Sequence, residues 1–220
     1  MTVARTIPSP RGARCSDIVF NQALLTPDLT RVRVSGFSGS AARFLAHEFL
    51  HAGVRIRGEP STPATADRSR FWDFRTWKIL DEHRVEKALC RTWPQDIDYI
   101  GAYVDLGTDF LAGLRAPSID PGRHVLRHFP VLCETFAYAI AAAAATATHL
   151  SRLTGLASSG LLPTTLVDTV LAVPDALEPT APEVLIAHSE NIQHALQGWL
   201  EDWGYRLEAP GGGAIAFSSI

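Results

Sequence analysis

Residues 47–51 read His47-Glu48-Phe49-Leu50-His51, the segment of this chain in which residue types and spacing say most about chemistry. On a helix, His47 and His51 are i,i+4 neighbours on one face, with Cβ atoms roughly 5–6 Å apart. Two imidazoles at that separation can reach one zinc ion at about 2.0–2.1 Å each. Glu48 lies one residue along and is offset around the helix. From there its carboxylate can take a proton from a water at the ion instead of ligating the ion itself. The plainer alternative is an amphipathic helix that turns two histidines and a glutamate to water. The flanks oppose it, because Phe44-Leu45-Ala46 and Ala52 are apolar. A buried helix seldom carries His, Glu and His together unless they are paired or ligate something. Zn2+ is therefore the expected cofactor, held by His47 and His51.

Ser38, Gly39 and Ser40 read as N-caps of this helix and Gly53 as its C-terminal stop, which places it at about 40–52. Ahead of it, Asp17-Ile18-Val19-Phe20 is a strand candidate, and Thr30 to Val34 alternates with period two. Behind it, Val54-Arg55-Ile56-Arg57 is a short alternating piece and residues 58–65 are loop by composition. Further helices are expected at about 71–91, 99–114, 124–153, 164–172 and 183–203. Asp120-Pro121-Gly122 forms a turn, and residues 214–217 form a last strand or a docked tail. The class is α+β, mostly helical, with a short N-terminal β-sheet and a helical C-terminal part. Residues 1–14 are expected to be a flexible N-terminus. Residues 15–220 form one domain, with a metal-site half (15–115) and a helical half (116–220).

The composition narrows the partners. The chain has 220 residues, 46% apolar and 20% charged, the profile of an ordinary soluble protein. A net charge of −3 gives no reason to expect nucleic acid or an anionic membrane. Cys15, Cys90 and Cys133 are odd in number and widely spaced, which suggests reduced thiols and a cytoplasmic setting. Residues 1–14 lack the apolar stretch of a signal peptide. The Ala-rich run from Phe136 to His149 reads as a buried core helix, too short for a membrane span.

A catalytic zinc site needs three protein ligands and an open position. A third histidine six residues beyond His51, as in metzincins, is missing, since Arg57 stands there. A carboxylate on a later helix is the alternative. Residues 81–86 read Asp81-Glu82-His83-Arg84-Val85-Glu86, so Glu82 and Glu86 share one face at i,i+4. One can ligate while the other, or Asp81, accepts the N–H of a ligand histidine. Arg84 can neutralise surplus negative charge there. The competing reading is a solvated face on which Glu82, Glu86, Arg84 and Lys87 form salt bridges.

His47-Glu48-x-x-His51 followed by Asp81-Glu82-x-Arg84-x-Glu86 resembles the gluzincin pattern of zinc peptidases. It also resembles the bacterial metallopeptidases that often precede a von Willebrand factor A domain, whose second helix carries an acidic-acidic-x-Arg-x-Glu signature. The segment Asp17 to Asn21 is similar to the strand that precedes the motif helix in those proteins. The resemblance covers about residues 17–91. It implies a zincin-like core and a zinc metallopeptidase acting on a peptide or protein substrate. It also implies Glu82, the acid followed two residues later by arginine, as the third ligand.

Two rivals stand beside this reading. One is a non-catalytic zinc-binding or protein-interaction module. The other is a di-iron carboxylate protein, because Glu48-x-x-His51 is also E-x-x-H; such a site wants a second E-x-x-H, which the chain lacks. His124 and His128 are another i,i+4 pair, better read as a helix start than as a metal site. Either of them, or Tyr99 or Tyr103, is a candidate to stabilise an oxyanion. His149, His188 and His194 read as structural or solvent-facing, and Trp72, Trp77, Trp93, Trp199 and Trp203 as packing.

Overall fold

The computed structural model describes residues 4–8, 16–20, 31–34, 37–60, 71–93, 98–145, 151–153, 156, 161, 163–211 and 214–219. Six helices, a further helical piece at 151–153 and three antiparallel hairpins are found among the described residues, which are mostly helical with a minor β component. Strands β1 (Ala4–Pro8) and β2 (Ser16–Phe20) pair with Ala4 opposite Phe20. Strands β3 (Arg31–Val34) and β4 (Phe37–Ser40) pair with Arg31 opposite Ser40. A third hairpin, β5 (Tyr205–Gly211) and β6 (Ala214–Ser219), closes the chain. So Ala4–Pro8 is a strand within the stretch expected to be flexible, and both N-terminal hairpins lie against the helix that carries the histidines.

That helix, α1 (Ala41–Ile56), follows directly from β4. Ser38, Gly39 and Ser40 are therefore strand residues, and Ser40 makes no side-chain cap. Gly53 does not stop α1, and Val54 to Ile56 are helical. The helix ends where Gly58 takes a φ of +73°, a left-handed conformation that glycine adopts without steric cost. There the Glu59 N–H donates back to the Val54 carbonyl. A glycine inside a helix costs only about 1 kcal/mol, so Gly53 alone lacks the force to end it.

The next helix, α2 (Phe71–Thr92), is buried on all sides from Ile79 to Glu86. It packs against α1, α4 (Pro121–Ala145) and α6 (Pro182–Asp202), while α3 (Tyr99–Arg115) lies on α4 and α5 (Thr164–Leu171) on α6. Ile79, Leu80, Ile100, Phe110, Phe129, Phe136, Ile192 and Leu196 join one apolar core drawn from both halves of the chain. Burying side chains of this size stabilises by about 1.5–3 kcal/mol each. A smaller cluster, Val54, Val85, Ala88, Leu89 and Ala176, fastens α1 onto α2. By length and composition α4 is apolar enough to cross a membrane, yet more than half of its most apolar stretch is buried, and Ala137 and Ala139 to Ala143 line the core. The expected turn at Asp120-Pro121-Gly122 is the start of α4, where proline is compatible with the first helical turn. Cys15, His149, loop residues 61–65, the 146–150 stretch of the expected 124–153 helix and glycines 212–213 lie outside the described residues.

Candidate metal centre

Two rows of side chains face each other where α1 meets α2. Arg43, His47 and His51 recur every four residues on α1; Lys78, Glu82 and Glu86 do so on α2. Arg43 pairs with Glu86, His47 touches both Glu86 and Glu82, and His51 reaches Glu82. The partners run in opposite order, so the helices are antiparallel here. The neighbouring row Ala46, Leu50 and Val54 packs on the small apolar cluster of α2 and presses the polar rows together.

The Nε2 atoms of His47 and His51 are 3.0 Å apart. Oε2 of Glu82 lies 3.2 Å from the first and 3.7 Å from the second. A circle through these three atoms has a radius of about 1.9 Å, which is also the radius for one face of a tetrahedron with bonds of about 2.0–2.1 Å. These three residues form the one potential metal-holding group of His, Cys, Asp and Glu found among the described residues. His47, His51 and Glu82 are 9%, 7% and 4% exposed, and Glu48 is 8% exposed.

The far nitrogens of both rings are also occupied. Nδ1 of His47 is 2.8 Å from Oε1 of Glu86, and Nδ1 of His51 is 3.4 Å from Oδ2 of Asp81. Carboxylates in these places fix the ring orientation and tautomer, leaving the Nε2 lone pairs toward the centre. Glu86 is held in turn by a two-pronged contact from the Arg43 guanidinium. Lys78 ion-pairs with Oε1 of Glu82, and the Tyr138 hydroxyl donates to Oε2 at 2.7 Å.

Burial disfavours every charge here, yet neighbours outweigh it. It would lower both histidines, but Glu82 and Glu86 raise His47 to about 9, and Asp81 and Glu82 raise His51 to about 10. Burial would raise the carboxyls, but the histidines bring Asp81 and Glu86 below their usual range and Glu82 well below it. Arg43 also acts on Glu86. Three carboxylates against Arg43 and Lys78 leave one negative charge over, in a place where an uncompensated charge is costly. The 3.0 Å contact between the rings needs one N–H and one lone pair, so a single shared imidazolium balances the site without metal. A divalent cation can take that proton's place.

Other expected site residues fall elsewhere. Arg84 does not neutralise the acidic cluster. It is about 200° around α2 from Glu82, where it pairs with Glu59 at 2.7 Å and donates to the carbonyls of Pro174, Asp175 and Glu178. Lys87 likewise donates to the carbonyls of Leu171 and Val173 instead of joining Glu82 and Glu86. Tyr103 is buried with its hydroxyl on the Leu161 carbonyl, 2.7 Å away, and Tyr99 lies tilted against Tyr138 with ring centroids 5.1 Å apart. His124 is a packing residue. It stacks on Phe110, its Nε2 lies 3.0 Å from the Phe110 carbonyl, and a Cβ at Gly113 would meet its ring at 2.1 Å. Trp72, Trp199 and Trp203 pack in or against the core, whereas Trp93 is 38% exposed.

Arg43, Lys78 and Tyr138 were not anticipated. The first two continue the i,i+4 rows by one step toward each N-terminus, a signal present in the sequence. Tyr138 has no such local signal, since α4 reaches the site only through tertiary packing. No family model matches this chain, and neither curated proteins nor solved structures provide a match.

Proposed function

We propose that this chain is a zinc-dependent hydrolase on a zincin-like scaffold, acting on a peptide or protein substrate in the cytoplasm. The observation that carries the reading is the donor set. Three buried ligand atoms have the mutual spacing of a tetrahedral face, and the back of each imidazole is held by a carboxylate. Two histidines and one glutamate form the usual ligand set of a hydrolytic zinc site. Zinc bound there supplies a Lewis acid that polarises a carbonyl and lowers the pKa of water to about 7. His47, His51 and Glu82 hold the ion. Asp81 and Glu86 accept the Nδ1–H of the two imidazoles and orient their Nε2 atoms toward the ion. Glu48, one residue from a ligand on α1, takes the proton of the attacking water and returns it to the leaving amine. The β1–β2 hairpin against α1 supports the zincin-like scaffold, for it includes the strand that resembles the one preceding the motif helix in gluzincins.

A second reading, a zinc-binding module without catalysis, is favoured by burial: both histidines, Glu82 and Glu48 are each less than a tenth exposed. A di-iron reading has less support, since Asp81 and Glu86 already face the histidine Nδ1 atoms.

The test is metal analysis of protein purified without chelator, together with a peptide-library cleavage assay. One zinc per chain is expected in wild type and in Glu48→Gln, with cleavage in wild type alone. Stoichiometric zinc in a His47→Ala, His51→Ala double variant sinks the metal site. Cleavage by Glu48→Gln at the wild-type rate removes Glu48 from the mechanism. One zinc with no cleavage by wild type favours the second reading.

A further inference from the structure

We infer that Lys78 and Tyr138 are positioning residues that clamp the two oxygens of Glu82 and restrict it to one-oxygen coordination of the ion. The inference rests on the metal-site reading above and goes beyond it to the coordination number. A glutamate at a metal can bind through one oxygen or swing to chelate through both. Here the choice is constrained from two elements. Lys78, one turn before Glu82 on α2, places its ammonium on Oε1, and Tyr138 on α4 donates its hydroxyl to Oε2 at 2.7 Å. Oε2 is the oxygen that faces both Nε2 atoms, at 3.2 and 3.7 Å.

An ionised carboxylate oxygen has about two lone pairs. On Oε2 one is taken by the phenol, and the other points to the metal position. Bringing Oε1 to the ion as well requires breaking its ion pair with Lys78 inside a site where Glu82 is 4% exposed. The phenol is braced too, because its ring leans on Tyr99. The clamp has two consequences. The fourth tetrahedral position stays open for water, and sharing the Glu82 charge with an ammonium leaves the ion a stronger Lewis acid.

Cobalt(II) in place of zinc tests this in the full chain without any substrate. Four-coordinate cobalt absorbs visible light strongly, and five-coordinate cobalt absorbs weakly. Wild type is expected to bind one cobalt with intense bands. Tyr138→Phe, Lys78→Met and the double variant are expected to bind one cobalt with a loss of band intensity, greatest in the double variant. Lys78→Arg, which keeps a cationic donor, should retain most of the wild-type intensity. Circular dichroism melts identify misfolded variants, and Tyr138→Phe, which removes only an oxygen, keeps the test open if Lys78→Met does not fold. Spectra of the folded variants superimposable on wild type at one cobalt per chain overturn the clamp and leave the metal site standing. A wild-type chain that takes up neither cobalt nor zinc overturns both.

Discussion

Nδ1 of His47 lies 2.8 Å from Oε1 of Glu86, so the ring is held from behind while its Nε2 turns toward Glu82. The two glutamates sit one turn apart on the same helix and have opposite relations to the same imidazole. One stands on the side of the Nε2 atoms, and the other backs the ring.

That division predicts a ranking of variants. Glu82→Ala should lose more zinc affinity than Glu86→Ala, because removing a carboxylate behind a ligand histidine typically costs about 10–100-fold. Asp81→Ala should be the mildest, since its 3.4 Å contact to His51 is the longer one. Competition with a chromophoric chelator measures all three. A greater loss for Glu86→Ala than for Glu82→Ala reverses the assignment.

Metal uptake should release protons. Without metal, the folded pKa values of His47 and His51, about 9 and about 10, lie above the ordinary 6.5. The stability they contribute is full below about pH 6.5 and is lost as pH rises through those values. Zinc competes with the same protons, so its apparent affinity should climb from pH 6 toward 9–10 and then level off. At pH 7 the pair still carries at least one imidazolium, so at least one proton should leave per zinc bound. Titration calorimetry in two buffers of different ionisation enthalpy reads this number directly. An affinity independent of pH across that range would count against both histidines as ligands.

Arg84 should matter for folding and not for metal. Its guanidinium is 1% exposed, pairs with Glu59 and ties down the segment after α5. Breaking a buried pair from one side typically costs about 3–5 kcal/mol. Arg84→Met should lower the melting temperature markedly, while the fraction that remains folded still binds one zinc. Wild-type stability with lost zinc would return Arg84 to the metal site.

His83 should contribute to acid sensitivity. Burial, helped by nearby Lys87, holds its pKa down to about 3 against 6.5 in an unfolded chain. The unfolded state therefore binds more protons between those values, so this residue makes the fold less stable as pH falls below about 6.5. His83→Leu keeps an apolar side chain there and removes the buried, unpartnered Nε2. Its denaturant stability should fall less between pH 7 and pH 5 than that of wild type. Equal slopes for the two proteins would refute the prediction.

Much of the site was legible because its spacing is local. His47 and His51, and Glu82 and Glu86, lie one helical turn apart, so their sharing a face follows from helix geometry. Helix positions were legible for the same reason, and α2, α3, α5 and α6 begin and end within one residue of where periodicity and turn residues put them, whereas α4 begins three residues earlier than expected. Strands β1, β4 and β5 were missed: Ala4 to Pro8 shows little alternation, Ser38 to Ser40 read as caps, and Tyr205 to Glu208 does alternate but follows directly on a long helix. The end of α1 was placed too early because Gly53 looks like a stop, although Gly58 has the left-handed backbone.

The sequence by itself determined which residues share a helix face: the motif histidines on α1 and the two glutamates on α2. Only the tertiary structure decided that these faces meet antiparallel, that Glu82 stands with the Nε2 atoms and Glu86 behind, and that Arg84 points elsewhere. It also brought in Tyr138 from α4. The physical reason is one of range. Helix periodicity relates residues a few positions apart, whereas pairing between helices is set by apolar packing summed over the whole core, and no single residue carries that signal.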